Sequence, residues 1–105
     1  MAWVWLGIAG ILEIVWAYAL KQSAGFSKPV EAVFAVVAMI ASFVFLSLAM
    51  KSLPLGTAYT IWTGIGALGA FVLGVVVLGE AATPLRVTSA ALILAGTVGL
   101  KLASE

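Results

Sequence analysis

The chain has 105 residues, 65% hydrophobic and 9% charged, with a formal net charge of +1. Soluble domains run near ~25% charged, so a one-domain integral membrane protein is expected and a soluble globular one is excluded. Cys and His are absent and all four acidic residues are glutamates, which removes disulfides, thiolate nucleophiles, Cys/His metal sites and imidazole relays.

Four apolar segments follow one another, with approximate spans 2–20, 32–50, 56–78 and 85–103. The first lacks a basic leader and ends at Lys21 without a cleavage context, so it reads as a mature span rather than a signal peptide. Trp3 and Trp5 near its start read as interfacial belt residues. Lys21 to Glu31 is a polar connection containing Gly25 and Pro29, and Lys51-Ser52-Leu53-Pro54 is a turn, because proline disfavours helix just before it. Gly79 to Pro84 connects the last two segments. The fourth is the shortest by charge, since only the 14 residues between Arg86 and Lys101 are uncharged. It spans if those two side chains snorkel to the interfaces. The runs are too long and too continuously apolar for barrel strands. The expected fold is all-α, a single four-helix domain over residues 1–105, multi-pass in a lipid bilayer.

Four helices cannot easily enclose a polar site, so a second subunit is expected. With both termini on one side, Lys51 and Lys101 lie there and Lys21, Lys28 and Arg86 lie opposite. That difference of one is a weak orientation signal under the positive-inside rule. Insertion in both directions, and an antiparallel homodimer, are therefore open to the chain.

Glu13 is the anomaly in this pattern. It lies mid-way along the first span, where an ionisable group costs about 2.5–3.5 kcal/mol and marks function by default. Ala9, Gly10, Trp16 and Ala17 share its helical face. Three of these are small and leave room for a second backbone or a ligand. Trp16 either donates its indole N–H to the carboxylate or is lipid-facing bulk. In the third segment Tyr59, Trp62, Thr63 and Gly66 recur at i, i+3, i+4 and i+7. Such a stripe faces protein or water, as ligand frame or as interhelical glue. Ser42 is the only hydroxyl deep in the second segment and can donate to Glu13, to a ligand or to its own helix. Gly66, Ala70 and Gly74 form a small-residue ridge, and Gly64 with Gly66 offers either close packing or a helix bend. Gly96 and Gly99 in the fourth segment point to a dimer contact. The other charges, Glu31, Glu80, Glu105 and the five basic residues, read as solvated or interfacial.

Several of these motifs occur together and in order: Glu13, Leu20-Lys21, Gly25-Phe26, Leu53-Pro54-x-Gly56-Thr57-Ala58-Tyr59 and Ile61-Trp62-Thr63-Gly64-Ile65-Gly66. Over its whole length the chain resembles the small multidrug resistance family of four-helix transporters. It is particularly similar to the guanidinium-exporting branch through Gly10 with Trp16, the run Trp62 to Ala70, and Gly99-Leu100-Lys101. The drug-exporting branch tends to carry glycine at the position of Trp16. Glu31 departs from the pattern, since relatives often have proline there. The resemblance implies an antiparallel homodimer of dual topology and proton-coupled export across the inner membrane. It also implies a shared proton and substrate site at Glu13 of both subunits, framed by Trp16, Ser42, Tyr59 and Trp62.

The expected activity is thus a proton antiport that exports guanidinium and related small guanidinyl cations, which bond a carboxylate in a bidentate fork. The nearest alternative is export of quaternary ammonium or other lipophilic cations, held by the aromatic faces of Trp16, Trp62 and Tyr59. A more distant one is a non-transporting structural or regulatory membrane subunit, in which Glu13 only bonds a neighbouring helix. An enzyme is not expected, because no nucleophile–base pair or metal set is present. No cofactor and no nucleic-acid partner is expected either, since no basic cluster exists.

Overall fold

In the computed structural model, residues 1–104 are described, and Glu105 lies outside them. Four helices make up the chain: α1 (Ala2–Gln22), α2 (Pro29–Ala49), α3 (Leu55–Val76) and α4 (Pro84–Ser104). Each has 21 or 22 residues, and at ~1.5 Å per residue that is enough to cross a hydrocarbon core of ~30 Å. All four are also apolar enough to span a membrane.

The helix ends differ from the sequence expectation by a few residues, for local reasons. Pro29 was expected in a connection but occupies the first turn of α2, where its missing N–H costs nothing, with Glu31 beside it at the positive end of the helix dipole. The helix α3 stops at Val76, and Gly79 (φ 73°) turns the chain back. The fourth helix extends past both of its charged residues, so its length is set by Thr83 and Ser104 rather than by the uncharged stretch. Thr83 Oγ1 accepts the Arg86 N–H at 3.3 Å as an N-terminal cap. The connection after α1 is held by buried Ser23, whose Oγ donates to Leu20 O at 2.7 Å and accepts from Phe26 N at 3.1 Å. Ala24, Gly25 and Phe26 there all have positive φ, and only the glycine adopts it without strain.

The helices lie side by side in a slab of 41 × 34 × 16 Å. A single helix with its side chains is ~10–12 Å across, so the chain is barely more than one helix thick. Helix α1 packs against both α2 and α3, which also touch each other where Trp62 meets Ser42 and Phe43, and α4 lies along the outer flank of α3. No residue of α4 is buried, whereas each of the other helices buries four to six.

The core occupies one end of the slab, where Leu6 and Ala9 of α1 meet Leu46 and Ala49 of α2 and Ala58, Ile61 and Trp62 of α3. Trp3 and Trp5 pack here rather than serving only as a belt. Trp5 stacks on Phe45 with centroids 5.6 Å apart, and Lys101 Nζ sits 4.9 Å from the centre of the Trp3 ring. At the opposite end, α1 and α3 diverge around a cleft of about 320 Å³ reaching from Ala17 and Ala67 to Lys21 and Glu80.

Three helices are tied by one polar relay. Trp62 Nε1 donates to Ser42 Oγ at 3.0 Å, and Ser42 Oγ donates to Ala9 O at 2.6 Å. Ser42 is fully buried, so removal of its hydroxyl leaves the Trp62 N–H without an acceptor. Ser42→Ala is expected to destabilise the chain by about 1–2 kcal/mol, within the range for membrane interhelical bonds. Thermal unfolding in detergent, with Ser47→Ala on the exposed face of α2 as control, measures this.

Candidate functional site

Glu13 projects from the middle of α1 toward α3. Its Oε1 is buried and has no hydrogen-bond partner among the described residues, and the same holds for Trp16 Nε1. The two do not bond each other, so the indole-to-carboxylate bond considered from the sequence is not formed. A partnerless polar atom in a membrane interior costs several kcal/mol against a satisfied one, and two lie within one turn of the same helix.

The carboxyl reaches its position because α3 offers bare backbone there. A Cβ on Gly66 would overlap Glu13 Oε1 and Cδ and lie 2.7 Å from Cγ. The close approach of the two helices is set on either side. A Cβ on Gly10 would come within 2.6 Å of Ile65 Cγ2, and one on Gly69 would overlap Ile14. Small residues beside Glu13 therefore admit a second backbone, that of α3. The ridge Gly66–Ala70–Gly74 continues from Glu13 into the cleft, where Ala70 and Gly74 form part of the wall.

The structure divides the polar stripe of α3. Trp62 and Gly66 are buried toward α1 and α2, while Tyr59 and Thr63 are exposed. Tyr59 still touches the Trp62 ring at 5.4 Å between centroids, and Phe43 meets its other side at 5.9 Å. Phe43 is an aromatic member of this group that no motif or spacing singles out. With Thr63, Gly64 and Gly96, Tyr59 lines a separate groove of about 530 Å³ between α3 and α4. Gly64 accommodates Thr97 of α4, since a Cβ there would overlap Thr97 Oγ1. Gly64 and Gly66 thus serve opposite neighbours within one uninterrupted helix. Gly96 and Gly99 have open space beside them, on the helix that buries nothing.

Ser42 does not reach Glu13. Its proton is committed to Ala9 O, one turn before the carboxyl, and it connects to the aromatic group by accepting from Trp62. Glu80 and Arg86, read as solvated from the sequence, are partly covered and paired at 3.4 Å.

A four-helix membrane slab with one central carboxyl laid on a glycine defines a small membrane transporter. The family profile for Small Multidrug Resistance protein matches residues 1–93, and the chain belongs to that family. Among its relatives, the guanidinium exporter of Yersinia pseudotuberculosis serotype I is 58% identical over 104 residues, covering 99% of this chain and all of the relative. Those of Escherichia coli K12 and Salmonella typhimurium LT2 are 56% and 53% identical over 105 residues, covering both chains in full.

Gly66→Ala is expected to displace the Glu13 carboxyl while leaving the fold intact, because the atoms it meets are the far end of a flexible side chain. Cation uptake into liposomes should fall roughly tenfold or more, as misplacement by about 1 Å suffices for such losses. Gly7→Ala, where nothing lies within 4 Å, is the control and should transport normally.

Proposed function

We propose that the chain works as an antiparallel homodimer in the inner membrane, a single transporter domain over residues 1–105, exporting guanidinium and related small guanidinyl cations in exchange for protons. The observation that carries this reading is the Glu13 Oε1 atom, buried between helices and without a protein partner. In lipid, such a carboxyl is satisfied by a proton or by a cation. The naming of full-length relatives at 53–58% identity as guanidinium exporters supports the choice of cation.

The chemistry is competition for one pair of oxygens. Guanidinium is planar and presents parallel N–H donors that match a carboxylate fork. Trp16 Nε1, also partnerless and one turn along the same helix, is a second donor that would be satisfied only as the site rearranges around its ligand. Trp62 and Tyr59 of the facing helices would close the frame, with Gly10, Gly64, Gly66 and Thr63 setting its spacing. In a dimer two Glu13 side chains would hold either one guanidinium or two protons. Exchange of one for the other moves net charge, so transport is electrogenic.

The slab geometry supports the second copy. A layer 16 Å thick leaves the Glu13 region without a complete enclosure, and α4 with Gly96 and Gly99 presents an unburied flank. The packed end and the cleft end of one chain lie on opposite sides of the membrane. Antiparallel pairing would set the packed end of one copy beside the open end of the other. Exchange of these two conformations would turn the site from one face of the membrane to the other.

Glu13→Gln should abolish guanidinium-driven currents from purified protein, a loss of at least about a hundredfold, since the amide holds neither proton nor cation charge. A variant with full currents would overturn the proposal. Guanidinium affinity should weaken as pH falls, by up to about a hundredfold per pH unit where two protons replace one cation. Tetrapropylammonium, which has no N–H donor, should compete poorly; stronger binding than guanidinium would instead favour export of lipophilic cations through the Phe43–Trp62–Tyr59 group.

A further inference from the structure

Beside the α1/α3 cleft, in the groove between α3 and α4, the chain holds a guanidinium group of its own. Arg86 Nη2 lies 3.4 Å from Glu80 Oε1, and Arg86 Nη1 donates to the Ala81 carbonyl. The guanidinium carbon lies 5.3 Å from the centre of the Phe71 ring. A carboxylate, a carbonyl and an aromatic face are the three groups that recognise a guanidinium. Glu80 and Phe71 also line the cleft, and the cleft leads along Gly74, Ala70 and Ala17 toward Glu13. The small-residue ridge of α3 thus has a carboxylate at each end. The Glu80 carboxylate lies against Gly74, where a Cβ would overlap Oε1, as Glu13 lies against Gly66. The two glycines are eight residues apart, about 12 Å along the helix.

We propose that Glu80, the Ala81 carbonyl and Phe71 form a second guanidinium-binding site at the cleft mouth, held at rest by Arg86 and taken by the cargo on its way to or from Glu13. This rests on guanidinium being the cargo. Exchange is feasible because the pair is weak. Its side chains are 41% and 43% exposed, and solvent screens ion pairs in such settings so that they hold only weakly. A short tether presents Arg86 at an effective concentration on the order of millimolar, so free guanidinium in that range displaces it. Glu80 is the one carboxylate among the described residues that line the cleft, so it is the group there with the charge to receive the cargo. When displaced, Arg86 has the interface within reach of its long side chain.

Initial rates of guanidinium uptake by the full-length protein in liposomes, measured against concentration at fixed pH, test this. Arg86→Ala removes the internal competitor and should lower KM by about threefold or more. Glu80→Gln removes the receptor and should raise KM by a similar factor. A pair that only braces the connection loses the same contact in either variant, so KM shifts of the same sign, or none, would overturn the proposal. Arg86→Lys keeps the charge without the planar fork and should give a KM between wild type and Arg86→Ala. Where Glu80→Gln does not fold, Arg86→Ala and Arg86→Lys carry the test, and an unchanged KM in both overturns it. A wild-type protein that moves no guanidinium overturns the parent reading instead.

Discussion

A carboxyl oxygen pressed against bare backbone, deep in a membrane helix pair, is the constraint from which the rest of the structure follows. Glu13 can lie between α1 and α3 only because Gly66 has no side chain, and the two helices can approach that closely only because Gly10 and Gly69 yield to Ile65 and Ile14. The carboxyl gains no hydrogen bond from this arrangement. Its surroundings shape a space and leave its chemistry unspent. Stability is supplied elsewhere, by the Trp62–Ser42–Ala9 relay and the packed end of the slab.

The relay and the site share residues but divide the work. Ser42 fixes the height of α2 and α3 relative to α1, one turn from Glu13, and thereby fixes where the Trp62 ring stands. Beyond Glu13, toward Lys21 and Glu80, the contacts change in kind: packed apolar side chains give way to a cleft walled by small residues and a half-exposed ion pair. Packing is therefore distributed unevenly along the helices, dense at one end and open at the other. Under the proposed exchange of access, such a gradient would place the contacts that change at the open end.

Much of this was legible in the residues. Hydropathy and length located four helices, and a single glutamate in an apolar run stood out on cost alone. Helical spacing placed Gly10 beside Glu13, and Gly66 within a stripe on α3. What spacing could not supply was the partner of each face. Tyr59, Trp62, Thr63 and Gly66 share a stripe by number, yet α3 is wedged between α1 and α4 and the stripe straddles the seam. Ser42 was visible as a lone hydroxyl, but its acceptor lies 33 positions away, and no local pattern encodes that distance. Pro29 falls in the polar stretch from Lys21 to Glu31 and so reads as connection, although proline also begins helices. Glu80 and Arg86 went unnoticed as a unit because their separation of six crosses a helix start, where the i,i+4 rule does not apply.

The exposed fourth helix has a consequence for how the protein is made. Helix α4 leaves the ribosome after the other three and buries none of its own residues, with Leu100 packing against a core built by α1, α2 and α3. It is attached to α3 at the Gly64–Thr97, Phe71–Arg86 and Thr57–Ser104 contacts and to α1 by Lys101 over the Trp3 ring. With the proposed partner absent, α4 would wait in the lipid with Gly96 and Gly99 uncovered, a state whose lifetime depends on how many sister chains are nearby. Synthesis rate would then govern quality control: sparse chains would offer a loose terminal helix to membrane proteases, while crowded ones would shield it by pairing. The abundance of such a transporter would respond to expression more steeply than linearly.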